Sequence, residues 1–132
     1  MPKLILQPDD YSCGQCCVAM ATGMSLQKVM AFTGHDPDGM STADVRRALL
    51  RFGVYSARRM HPAGTRGLGS MHDGRAILHT AQRPTPKFGH WVLLWDGGIY
   101  DPAGARTALH YPTDIVSYLR IHRVAGGPYV EA

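Results

Sequence analysis

The chain has 132 residues, 45% of them hydrophobic and 8% aromatic, which suits one globular domain over residues 1–132 with a core of its own. No run approaches the roughly 18 to 20 apolar residues of a membrane span, and Leu4-Ile-Leu6 is too short for a signal-peptide core, so a cytoplasmic protein with no membrane partner is expected. The net charge of +4 comes from scattered arginines such as Arg46, Arg58, Arg66 and Arg83, with no interleaved aromatics, so a nucleic-acid partner is not expected.

Residues 4–12 form a short polar lead-in carrying Gln7, Pro8, Asp9 and Asp10, residue types that suit a turn. From Cys13 the pattern becomes small and apolar, predicting a buried helix over 14–22 with Ser12 or Cys13 at its boundary and Gly23 closing it. Ser25 caps a second helix, 26–33, ended by Gly34. Ser41 or Thr42 caps a third, 43–52, with Val45, Ala48, Leu49 and Phe52 on one face.

The second half changes character. Residues 54–60 alternate weakly as a strand, and the glycine-rich stretch 61–74 is expected to be a long loop that could gate a cleft near Arg66. Arg75–Thr80 reads as a strand, Pro84 and Pro86 as a turn, and His90–Trp95 as a buried strand. Asp96-Gly97-Gly98 signals a hairpin into Ile99-Tyr100-Asp101, which Pro102 and Gly104 terminate. Thr113–Leu119 is expected to form a short helix and 119–124 a final strand. Helices first and an antiparallel sheet after them give an α+β order.

Three cysteines fall within five residues, Cys13-Gly-Gln-Cys16-Cys17. A disulfide framework spreads its cysteines, so this cluster points instead to reactive chemistry, metal binding or buried thiols. A thiol attacks carbonyl carbon as the thiolate, a form that helix N-termini and adjacent imidazolium groups favour. Cys13 sits where the first helix begins, and Gly14 leaves the nearby N–H groups unobstructed. Gln7, six residues upstream, can reach the same substrate oxygen if the loop folds back, joining the Cys13 N–H in an oxyanion hole. His90 opens one strand and Asp101 ends the next, so pairing around the turn brings them to the same end of the hairpin, where a carboxylate can orient an imidazole.

The segment Gln7-Pro-Asp-Asp-Tyr-Ser-Cys13-Gly-Gln-Cys-Cys17 resembles the entry motif of the bacteriocin-processing peptidases, papain-like enzymes that trim double-glycine leader peptides. Gln7, Cys13, Gly14 and Cys17 match that motif in turn. Gly89-His90-Trp-Val-Leu-Leu and Gly98-Ile-Tyr-Asp101-Pro102 resemble the family's histidine strand and Asp-Pro strand end. The resemblance implies a papain-like fold, with N-terminal helices packed on a C-terminal antiparallel sheet. It also implies a peptide or protein substrate, no cofactor and no metal. Cys13 becomes the nucleophile, His90 the general base, Asp101 its orienter and Gln7 an oxyanion donor. Ser12 departs from the family, which commonly has an acidic residue there, and Cys16 stands where a small residue is usual.

Cys16 rivals Cys13 as nucleophile, but lies nine residues from Gln7 rather than six. Cys17, one helical turn beyond Cys13, reads as buried packing. Three other functions compete. Cys13-Gly-Gln-Cys16 is a Cys-x-x-Cys at a helix start, as in thiol-disulfide oxidoreductases, although such motifs follow a strand in a βαβ unit. A zinc module would need a second ligand pair at metal spacing, and none is present. A catalytically idle binding protein could keep the same scaffold.

Overall fold

A computed structural model of the chain describes residues 2–9, 11–34, 37–62, 74–80, 90–108 and 115–124. The helical part comprises α1 (Cys13–Thr22), α2 (Leu26–Thr33) and α3 (Thr42–Arg51). Seven strands follow: β1 (Val54–Ser56), β2 (His61–Pro62), β3 (Arg75–Thr80), β4 (His90–Trp95), β5 (Gly98–Asp101), β6 (Ala105–Ala108) and β7 (Ile115–Val124). The architecture is α+β, as the order of sequence patterns predicts.

Glycine ends both α1 and α2. Gly23 and Gly34 take φ values of 75° and 80°, a region that costs a residue with a Cβ. In α3, Ser41 and Asp44 form a reciprocal capping box. The helix buries Val45, Ala48 and Leu49, while Phe52 lies just past its end.

The strands run in the order β1-β7-β3-β4-β5-β6, with β2 also paired to β7 and every pairing antiparallel. The β4–β5 turn is shorter than expected. Asp96 (φ 51°) and Gly97 (φ 86°) form it alone, the left-handed pair that a two-residue hairpin turn needs, and Gly98 already belongs to β5.

Two expectations need correction. Residues 115–119 of the expected helix Thr113–Leu119 are strand, part of the ten-residue β7. Pairing of this stretch with β2 and β3 outweighs the weak local helix signal, and Ile115-Val-Ser-Tyr-Leu-Arg-Ile-His-Arg-Val is rich in β-branched and aromatic residues. Strand 54–60 stops at Ser56, and the expected loop 61–74 begins with the short strand β2. The rest of that loop through residue 73, its Arg66, the Pro84–Pro86 turn and Gly89 lie outside the described residues.

The core has two layers. Cys17, Val18, Val29, Val45 and Leu49 from the helices meet Ile77, Trp91, Leu93, Tyr100 and Leu119 of the sheet. The opposite sheet face buries Ala76, Leu78, Val92, Leu94, Ile99 and Ile115. β4 is therefore buried along its whole length, which explains its unbroken apolar run after His90. The helical and sheet parts are tied by a long-range hydrogen bond: the Trp91 indole N–H donates to the Met40 carbonyl at 3.0 Å. Among the described residues no helix is long and apolar enough to cross a membrane.

Candidate active site

Cys13 is the first residue of α1, one earlier than the sequence pattern predicts, and Ser12 is the N-cap. The first turn of any α-helix carries N–H groups with no partner inside the helix. Gly14 keeps this end narrow, because a Cβ there would stand 2.9 Å from the Met40 sulfur and 3.1 Å from the Met40 Cβ. The segment that Trp91 holds thus packs directly against the residue after Cys13.

The β4–β5 register brings the histidine and aspartate together. Leu93 pairs with Tyr100. Extending that register by one residue sets Val92 opposite Asp101 and His90 one diagonal step away on the same face. His90 Nε2 lies 2.7 Å from Asp101 Oδ1, and that oxygen also accepts the Ala103 N–H at 2.9 Å. The imidazole shares a second hydrogen bond with the Cys13 thiol. With Nε2 committed to Asp101, Nδ1 is the nitrogen left to face the sulfur. Sulfur, imidazole and carboxylate therefore form a continuous chain.

Burial of His90 works against its charged form. The hydrogen bonds to Asp101 and Cys13, together with the charges of both, outweigh that penalty and push the imidazole up to about 9. At neutral pH the ring is an imidazolium with Nε2 bonded to the Asp101 carboxylate. The thiols of Cys16 and Cys17 are raised as well, which for a thiol favours the neutral form. Burial, reinforced by Cys13 and Asp9, pushes Cys16 up to about 12. Burial again, with Cys13, Cys16 and Asp101, drives Cys17 well above the ordinary thiol range. Neither supplies thiolate at neutral pH.

Gln7 lies at the same place by two routes. Its backbone N–H donates to the Pro102 carbonyl at 2.9 Å, fastening the lead-in beside the end of β5. Its side-chain Nε2 donates to the Asp9 carbonyl at 2.6 Å. That bond uses one of two amide hydrogens and leaves the second for another acceptor, while Oε1 is buried without a hydrogen bond.

All four residues singled out in the sequence are thus gathered where the α1 N-terminus meets the open end of the β4–β5 hairpin. Cys13 has no exposed surface, and His90 and Asp101 retain only 7% each. The sequence reading missed Asp9, whose Oδ1 accepts from the Tyr11 N–H, the Ser12 N–H and the Ser12 hydroxyl at 3.1, 2.8 and 2.6 Å. An aspartate two and three residues before those donors is the available signal, since that spacing favours a side-chain-closed turn. The Trp91–Met40 bond spans 51 positions and has no local signature. All three cysteines are free thiols, and among the described residues no three His, Cys, Asp or Glu side chains are grouped to hold a metal.

No family model matches the sequence, and no curated protein does. Solved structures do match. One is a double glycine motif protease from an AMS/PCAT transporter, solved in complex with the leader peptide. It superposes with a TM-score of 0.72 at 19% identity, over 92% of this chain and 91% of that one. Another is the peptidase domain of Streptococcus ComA, a bifunctional ABC transporter of a quorum-sensing pathway. It gives a TM-score of 0.68 at 13% identity, over 92% of this chain and 98% of that domain. The chain has the fold of these double-glycine peptidase domains, the family whose entry motif its sequence resembles.

Proposed function

We propose that this chain is a papain-like cysteine peptidase in which Cys13, His90 and Asp101 form the catalytic triad and Gln7 contributes to the oxyanion hole. One observation carries the reading: His90 bonds the Cys13 thiol on one side and Asp101 on the other, at a helix start, in a fold shared with two peptidase domains. The Cys13 thiolate attacks the scissile carbonyl carbon. The carbonyl oxygen gathers negative charge and is stabilised by the Cys13 backbone N–H and the second hydrogen of Gln7 Nε2. His90 then donates its Nδ1 proton to the departing amine, leaving a thioester on Cys13. Water takes the place of the amine, His90 accepts its proton, and hydrolysis releases the acid and restores the thiolate–imidazolium pair. Asp101 keeps the ring in the orientation that presents Nδ1 throughout.

The bound leader peptide of the first neighbour makes a peptide with a double-glycine motif the first substrate to assay. Mass spectrometry of the products separates peptide cleavage from deamidation or transamidation, which the same machinery can perform. The three free thiols suit a reducing compartment such as the cytoplasm. A Cys13–Cys16 redox function is disfavoured, because Cys16 is fully buried and keeps its proton to about pH 12.

The test is selective alkylation. Cys13→Ala abolishes labelling by an iodoacetamide-type reagent at neutral pH and abolishes peptide cleavage, whereas Cys16→Ala and Cys17→Ala retain labelling. Equal labelling of all three variants overturns the assignment, and loss of activity in Cys16→Ala alone revives the redox reading.

A further inference from the structure

Each of the three helices begins after a serine: Ser12, Ser25 and Ser41. Two of these serines cap their helix in the usual way. Ser25 accepts the Lys28 N–H and Ser41 the Asp44 N–H, both from extended backbone with ψ of 150° and 169°. Ser12 does not. Its ψ is 20° and its side chain makes no cap bond, because the hydroxyl donates instead to Asp9 Oδ1 at 2.6 Å. The same oxygen takes the Ser12 N–H, and the Asp9 carbonyl takes the Gln7 amide. One residue therefore holds both the residue before the nucleophile and the side chain proposed to share its oxyanion pocket.

We infer that Asp9 is a positioning residue that keeps the α1 N-terminus uncapped: by holding the Ser12 hydroxyl away from the first turn and anchoring Gln7, it keeps the approach to the Cys13 N–H and the Gln7 amide open for a substrate oxygen. The inference rests on the peptidase reading for its catalytic consequence but not for its structural one. Without the carboxylate, Ser12 becomes free to rotate and cap Gly14 or Gln15, as Ser25 and Ser41 cap their own helices. The hydroxyl would then stand over the first turn and crowd the approach of the substrate carbonyl to the adjacent Cys13 N–H. Gln7 would also lose the turn that fixes its anchor. The reacting sulfur and His90 are untouched by this change, so the thiol's own reactivity should survive.

The experiment compares the wild type with Asp9→Ala and with Asp9→Ala/Ser12→Ala in three measurements. Peptide hydrolysis by Asp9→Ala is expected to fall about 10- to 100-fold in kcat with little change in KM, the signature of a lost transition-state donor. Alkylation of Cys13, which develops no oxyanion, should change less than about twofold if only that pocket is affected. Amide hydrogen exchange at Gly14 or Gln15 should slow in Asp9→Ala as the serine caps it. The double variant, lacking the hydroxyl, should lose that protection and regain part of the kcat. Parallel losses of hydrolysis and alkylation would show Asp9 to be only a structural support and overturn the inference. Unchanged exchange and unchanged kcat would overturn it equally. A wild type that alkylates at Cys13 yet cleaves no peptide sinks the peptidase reading alone, and the exchange measurement still decides what Asp9 does.

Discussion

The two ends of the β4–β5 hairpin each hold an ion pair, in contrasting surroundings. At the turn end, Arg75 clasps both carboxylate oxygens of Asp96 at 2.9 and 3.0 Å while its guanidinium lies 4.1 Å over the Trp95 ring. The Asp96 side chain there is 52% exposed. At the open end, His90 and Asp101 meet at 2.7 Å with side chains only 9% and 10% exposed. Water reaches the Asp96 carboxylate and screens the first pair from that side, while the Arg75 side chain is only 13% exposed. The second has given up most of its hydration, and the Asp101 carboxylate helps His90 to remain charged. Distance is nearly equal at the two ends; what sets them apart is how far the carboxylate is desolvated.

The largest expected effect comes from breaking the buried pair. Asp101→Ala leaves an imidazolium without its counter-charge and the Ala103 N–H without its acceptor. Such a change typically costs about 3 to 5 kcal/mol of stability. Hydrolysis should fall about 1000-fold or more, since the ring loses both orientation and charge support. Asp101→Asn keeps an oxygen for His90 and Ala103 and should lose clearly less stability. Urea unfolding and kcat/KM on one set of proteins check both statements. Equal damage from the two variants would mean that charge rather than shape governs this end.

The next effect is read in pH. His90 is raised from 6.5 to about 9 in the fold. A group raised on folding contributes stability that is complete below its unfolded value near 6.5 and is lost as pH rises through about 9. Hydrolysis should follow the same limb, because the leaving amine needs the imidazolium proton. Removing the Asp101 charge, as in Asp101→Asn, should move both limbs toward lower pH. The urea midpoint and kcat/KM between pH 6 and 10 measure this shift, and superimposable profiles for the two proteins would refute the role given to the buried pair.

Much of this arrangement is legible in the sequence because it depends on short-range geometry. The Asp96-Gly97 turn fixes a register, and that register makes His90 and Asp101 neighbours. The six-residue spacing from Gln7 to Cys13 and the start of an apolar helix place the other half. What is not legible depends on distant partners. Residues 115–119 carry only a few residues of local signal, and pairing with β2 and β3 decides their state. β6 has even less to announce it. Ser12 reads like Ser25 and Ser41, a serine before a helix, and only the position of the Asp9 carboxylate tells which hydroxyl is taken elsewhere. The Trp91–Met40 bond joins the two halves of the chain and leaves no trace in either alone.

The smallest effect is expected at the turn end, and it sharpens the contrast most cleanly. Asp96→Asn keeps a residue that tolerates the left-handed backbone of position 96, where φ is 51°, because asparagine before glycine is the favoured pair for such a turn. The substitution therefore removes charge without disturbing shape. A half-exposed ion pair contributes about 0 to 1 kcal/mol, so the stability change should stay within that range and shrink further in high salt. Activity should be unchanged, since β4 separates Asp96 from the open end of the hairpin by its whole length. Urea unfolding at low and high ionic strength, with kcat/KM measured alongside, tests the point. A loss above about 2 kcal/mol, well beyond what such a pair supplies, would erase the distinction between screened and desolvated ends, as would any fall in turnover. The Arg75–Asp96 clasp would then have to be treated as part of the support for His90.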